Sequence, residues 1–219
     1  MFPKIIKTMD ASNRVYGVGY LTKQTTLKLD MEKCQACGVC VEACPKQVLE
    51  ITHVSPSSKV GKNDYIPDIK DPKSCSYCGV CQALCPFEAL SLSDGGEEIK
   101  TEELEIIAKK AFPRLNYEIV KCSKTGKNAK SYFEGSISLK EGSDWTGFKI
   151  CADVCPTEAL TFKDAEKKLV LDDKKCIYCG SCQVVAPKSD MINLKRTGIK
   201  ISGAYNKTLW EPLKTRLLK

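Results

Sequence analysis

Fourteen cysteines in 219 residues are the side chains best placed to do chemistry in this chain, and their spacing narrows what that chemistry is. The run Cys34-x2-Cys37-x2-Cys40-x3-Cys44-Pro45 recurs gap for gap as Cys75-x2-Cys78-x2-Cys81-x3-Cys85-Pro86. A third run, Cys176-x2-Cys179-x2-Cys182-x3, ends on Ala186-Pro187 where a fourth cysteine would stand. Ahead of it lies a broken copy that reads as Cys122-x2-Thr125, a long insertion, then Cys151-x3-Cys155-Pro156. Four copies thus form two pairs.

Four thiolates can hold zinc or an iron–sulfur cluster. Zinc sites commonly use two separated Cys-x2-Cys pairs. Three cysteines at gaps of two, then a fourth at a gap of three before proline, is the bacterial cubane pattern, in which the fourth cysteine serves the other cluster. Gly38, Gly79 and Gly180 each follow the second cysteine of their run, where a missing Cβ lets backbone come close to a cluster. No set of side chains suggests an acid, base or nucleophile, so an electron-transfer subunit is expected rather than a stand-alone enzyme.

The segments around the cysteines must fold to position them. Asp30, Asp71 and Asp172 each stand four residues before a run, and strand-like TLKLD, DYIPDI and KKLVLD lead into the loops. Each Cys-x3-Cys-Pro stretch reads as one or two helical turns that the proline ends. Residues 55–63 read as a loop. Glu102 to Phe112, after a Thr101 cap and before Pro113, reads as a linker helix. SYFEGSISLKEG reads as a strand or hairpin within an insertion at 126–150. Tyr77 and Tyr178 are expected to pack beside their loops, His53 to be an exposed or satisfied residue rather than a ligand, and Trp145 and Trp210 to anchor packing or an interface. The expected segments are a basic N-terminal stretch (1–29), a module with two clusters (30–98), a linker helix (99–114), a module with one cluster (115–192) and a basic docking tail (193–219).

Composition removes other classes. Apolar residues make up 42% and charged residues 28%, which suits a folded chain. No apolar run is long enough for a membrane span, no secretory signal opens the chain, and cytoplasmic thiols of this number suit metal binding. Residues 1–29 carry five Lys/Arg and one Asp, and residues 193–219 carry seven and one Glu, so under a total of +7 the middle is net −3. Clusters make that middle more negative, so the basic ends read as compensation or as a reach toward an acidic partner rather than as a nucleic-acid stripe.

The tandem runs make the chain resemble a polyferredoxin built from two bacterial-type 2[4Fe-4S] modules, over about residues 26–193. The resemblance implies an α+β fold, each module having two short helices and two β-hairpins about a pseudo-twofold axis. It also implies swapped ligation: Cys34, Cys37, Cys40 and Cys85 for one [4Fe-4S] cluster, and Cys75, Cys78, Cys81 and Cys44 for a second. A third takes Cys176, Cys179, Cys182 and Cys155. A fourth would need Cys122, Thr125, Cys151 and Ala186, so three clusters are expected, with Cys122 and Cys151 left over. A vestigial site packed as core is the expectation for that pair; a cluster completed by Asp153, Thr125 or a partner, a zinc site and a reactive dithiol stay open.

The paired modules, the split motif with YFEG before ICADVCPTEAL, and the closing KRTGI…G…W…L also resemble the polyferredoxin subunit of formylmethanofuran dehydrogenase in methanogenic archaea. That resemblance implies partner subunits including a tungsten- or molybdenum-pterin enzyme for CO2 reduction. An iron–sulfur subunit of another molybdopterin oxidoreductase or hydrogenase complex, and a free ferredoxin, remain alternatives.

Overall fold

A computed structural model describes residues 3–53, 65–101, 103, 112–123, 126–140 and 144–219. The 55–63 loop falls outside these residues, as does nearly all of the Glu102–Phe112 helix.

The chain opens with three antiparallel strands, β1 (Lys4–Met9), β2 (Asn13–Gly19) and β3 (Gln24–Asp30). In β3, Leu27 and Leu29 turn inward and Lys28 outward, the period-two pattern of a half-buried strand. The first cysteine loop follows, then helix α1 (Val39–Ala43), the hairpin β4 (Leu49–His53) and β5 (Tyr65–Ile69), the second cysteine loop and helix α2 (Val80–Ala83). Strand β6 (Leu90–Asp94) returns to pair with β3, and β7 (Glu97–Ile99) completes a sheet of order β1-β2-β3-β6-β7. Gly95 and Gly96 both have positive φ, which the two-residue turn between β6 and β7 requires.

The short β8 (Arg114–Leu115) and the hairpin β9 (Glu118–Lys121) and β10 (Asn128–Ser131) come next. The second module then repeats the first: β11 (Phe133–Leu139), helix α3 (Lys149–Val154), the hairpin β12 (Leu160–Lys163) and β13 (Lys168–Leu171), helix α4 (Ser181–Val185) and β14 (Ile192–Ile199). Strand β11 pairs with β14 as β3 pairs with β6. Strand β15 (Ile201–Ser202) pairs with β8, and helix α5 (Lys207–Leu217) ends the chain. Each module therefore has two short helices, one hairpin between them and one antiparallel pair made by its first and last strands, an α+β plan with a single hairpin where two were expected.

Three further expectations change. Residues 1–29 are not a separate basic stretch, because β1 and β2 widen the first module's sheet and β3 is the module's own strand. Asp68 on β5 ties them down by accepting hydrogen bonds from the Tyr16 hydroxyl (2.6 Å), Arg14 (3.2 Å) and Lys7 (3.1 Å). The stretch 126–150 is not an insertion: it supplies the end of one hairpin and β11, the opening strand of the second module.

Residues 193–219 are not a free docking tail either. Trp210, Leu213 and Leu217 of α5 are fully buried against Val39, Ala43, Val80 and Leu84 of the first module. Arg216 donates to the Cys44 carbonyl at 3.0 Å. Burying three large apolar side chains at about 1.5–3 kcal/mol each outweighs the solvation of a basic tail. Asn206 caps α5 by accepting from the Thr208 and Leu209 amides. Leu209 of the same helix is exposed.

Candidate metal centres

The cysteine loops share one local conformation. The residue before the second cysteine is left-handed in all three intact runs: Ala36 (φ 51°), Tyr77 (φ 49°) and Tyr178 (φ 52°). Gly38, Gly79 and Gly180 then have φ of 74°, 74° and 92° and start α1, α2 and α4. Two left-handed residues in quick succession curl the loop so that amides face the sulfurs. The Tyr77 and Tyr178 amides each donate to the Sγ two residues earlier, at 3.4 Å, and the Ala89 amide donates to Cys85 Sγ at 3.3 Å. Asp30 and Asp71 set the loop entrances by accepting the amides two residues on. Asp172 makes no side-chain cap.

Each helix of the first module holds the third and fourth cysteines of its run apart. Cys40 faces its own loop, whereas Cys44, past the end of α1, faces the other. Cys34, Cys37, Cys40 and Cys85 accordingly line one cavity with Leu29 and Phe87, with about 330 Å³ of empty space counted out to its mouth. Cys44, Cys75, Cys78 and Cys81 line a second of about 350 Å³ with Leu27, Leu49 and Leu92. Cys155, Cys176, Cys179 and Cys182 line a third of about 310 Å³ with Ile137, Leu160 and Leu194. Those are the three groupings that the resemblance implies.

Burial pushes the thiols of Cys34 and Cys176 up to about 12, and drives Cys37, Cys40 and Cys81 well above the ordinary thiol value. Four thiolates in such a place need cationic charge among them. Four thiolates around a cavity, with amides aimed at sulfur, suit an iron–sulfur core. Among the described residues, no three His, Cys, Asp or Glu converge on a position for one metal ion.

The broken copy is composed differently from the expectation. Cys122 follows β9, within the hairpin, and is buried in the first module's core, its amide donating to the Lys127 carbonyl; Thr125 lies outside the described residues. Counting back from Cys155 with the intact spacing gives Cys151, Phe148 and Trp145. Gly147 (φ 86°) keeps the left-handed turn of Ala36, and Lys149 replaces Gly38. Trp145 and Phe148 are buried, their rings edge to face at 5.1 Å, in one core with Cys151 and Ala186. An aromatic pair therefore fills the second module's fourth ligand set. The spacing was the signal for it, hidden because a tryptophan and a phenylalanine stand where cysteines are sought.

The quartet of Cys34, Cys37, Cys40 and Cys85 adjoins both of the others. Cys81 lies within electrostatic reach of Cys40 in the first module, and Cys179 of the second module within reach of Cys37. A Cβ on Gly180 would stand 3.3 Å from the Cys37 carbonyl oxygen, and one on Gly38 would touch Val184 at 3.7 Å. Cys78 is the one exposed cysteine. His53 is exposed, edge-on to Tyr65 at 5.1 Å, and away from the quartets. Trp210 and Trp145 both serve as packing.

Comparison with known proteins agrees with this geometry. The chain shares its fold, at a TM-score of 0.78 and 24% identity, with a chain of the formate dehydrogenase–heterodisulfide reductase–formylmethanofuran dehydrogenase complex from Methanospirillum hungatei. The match covers 100% of this chain and 92% of that one. No curated protein matches the sequence. No helix among the described residues is long and apolar enough to cross a membrane. The 4Fe-4S dicluster domain matches residues 22–89 and 147–189, just over half of the chain, and the chain belongs to that family.

Proposed function

We propose that this chain is an electron-transfer subunit that holds three [4Fe-4S] clusters and serves a larger redox enzyme. The observation that carries the reading is the row of three adjoining cysteine quartets, beside a fourth position left with Cys151 alone. Cys34, Cys37, Cys40 and Cys85 hold the middle cluster. Cys44, Cys75, Cys78 and Cys81 hold one that reaches the surface at Cys78, and Cys155, Cys176, Cys179 and Cys182 hold the one in the second module. Each cluster, when bound, takes up and returns one electron. The protein's part is to space the quartets, keep water from them with leucines and prolines, and aim amides at sulfur. Gly38, Gly79 and Gly180 make those loops sterically possible.

The shared fold supports formylmethanofuran dehydrogenase as the complex served, with a pterin-metal subunit as partner; the other molybdopterin oxidoreductases and hydrogenases are the second choice. Iron and sulfide analysis of anaerobically purified protein tests the cofactor count. About 12 Fe per chain is expected at four per cluster; about 16 would refute the plugged fourth site. Purification from the source organism with mass spectrometry tests the complex. Co-migration with a tungsten- or molybdenum-pterin subunit is expected, and migration alone would make the chain a free carrier.

A further inference from the structure

Strand β14 alternates inward and outward, and Ile192, Leu194 and Ile199 take buried positions on it. Arg196 takes another such position, where the pattern calls for an apolar side chain, and is 7% exposed. Among the described residues, its hydrogen-bond partners are all backbone carbonyls. Nε donates to Tyr178 O at 2.9 Å, Nη2 to Cys179 O at 2.5 Å and Nη1 to Leu217 O at 3.1 Å. The guanidinium lies 4.3 Å over the Phe133 ring. The cation is thus held inside the third cysteine loop, with its charge felt at Cys179.

The loop is shaped around it. A Cβ on Gly180 would come within 2.8 Å of Arg196 Nη2. The same glycine abuts the Cys37 carbonyl, so the guanidinium sits where the first and third quartets meet. A buried cation with no carboxylate partner among the described residues is costly. Thiolate-bound clusters, which gain negative charge on reduction, would answer it.

Resting on the three-cluster reading above, we propose that Arg196 is a potential-setting residue: its buried guanidinium favours the reduced form of the centre held by Cys155, Cys176, Cys179 and Cys182. The first quartet, across the junction, feels it less, and the quartet of Cys78 least. The charge, rather than the hydrogen bonds alone, does this.

The test uses the full chain, purified anaerobically, with Arg196→Gln, Arg196→Met and Arg196→Lys, iron counting, and redox titration followed by electron paramagnetic resonance. The Gln and Met variants are expected to keep wild-type iron and to shift one centre's midpoint to more negative values, with a smaller shift in a second and none in the third. The Lys variant is expected to restore most of the shift. Unshifted midpoints at full iron content would overturn the proposal. Loss of the third centre's iron from the Gln and Met variants alike would also overturn it, making Arg196 an assembly latch. Wild-type protein without 12 Fe would instead sink the three-cluster reading itself.

Discussion

The second module repeats the cysteine-bearing part of the first, β11 to β14 matching β3 to β6, yet one of its two metal positions is filled with aromatic rings. At the first module's opening loop, Cys34 and Cys37 face a cavity. At the matching loop of the second, Trp145 and Phe148 close on one another beside Cys151. The same backbone device serves both, since Gly147 bends as Ala36 does. The fold therefore does not need a cluster at each position. It needs something to occupy the space, and a cluster and an aromatic pair are alternative fillings. The difference is thermodynamic: rings stabilise by leaving water, whereas thiolates stabilise only with metal between them.

The largest effect that separates the two fillings is iron removal. Chelation under reducing conditions is expected to abolish the cooperative thermal transition, because ligand binding free energy is folding free energy in such sites. The aromatic-filled position does not depend on iron, but it shares a core with the third quartet. Retention of a full cooperative transition in iron-free protein would break the comparison.

Next in size are substitutions that move iron. Cys155→Ser is expected to lose one cluster, about 4 of about 12 Fe, while Cys151→Ala leaves iron content unchanged. The combined Trp145→Cys, Phe148→Cys and Ala186→Cys variant restores the missing donors around Cys151. It is expected to gain about 4 Fe after anaerobic reconstitution; no gain would mean that the loop between β11 and α3 has lost the metal-binding shape as well as the donors.

Smaller again is Trp145→Ala, which empties the plug. It is expected to cost about 3–5 kcal/mol in denaturant unfolding with iron content intact. Loss of iron together with stability would show that the plug supports the neighbouring third quartet.

The smallest concerns the N-terminal strands, which only the first module has. Burial raises the Asp68 carboxyl, but hydrogen bonds from Tyr16 and Lys7 and the charges of Lys7 and Arg14 outweigh it and hold the group below its ordinary value of 3.8. A depressed folded-state pKa contributes stability above the unfolded value and loses it as pH falls through the folded one. Asp68→Asn is therefore expected to destabilise at pH 7, with the gap from wild type narrowing below about pH 4. A pH-independent gap would leave only packing at that residue.

Spacing was enough to find the cysteine runs, because ligand gaps are read along a chain whose loops differ little; their grouping into quartets came from the family resemblance. Strand-like runs such as TLKLD and KKLVLD were legible for the same local reason, as was the short helix in each Cys-x3-Cys stretch. Cys122 misled, since Cys122-x2-Thr125 imitates a run start while the chain uses it in a hairpin that packs on the other module. The basic ends misled too: their charge is visible in sequence, but the burial of Trp210, Leu213 and Leu217 is not.

The sequence by itself determined the cysteine runs and their repetition, because these rest on short-range spacing, and the resemblance those runs carry implied the α+β module. Only the tertiary structure decided that the two ends fold back onto the modules, that an aromatic pair fills the fourth position, and that Arg196 is buried between loops. Each of these depends on contacts between residues far apart in sequence, where the competition between solvation and burial is settled by which surfaces the fold brings together.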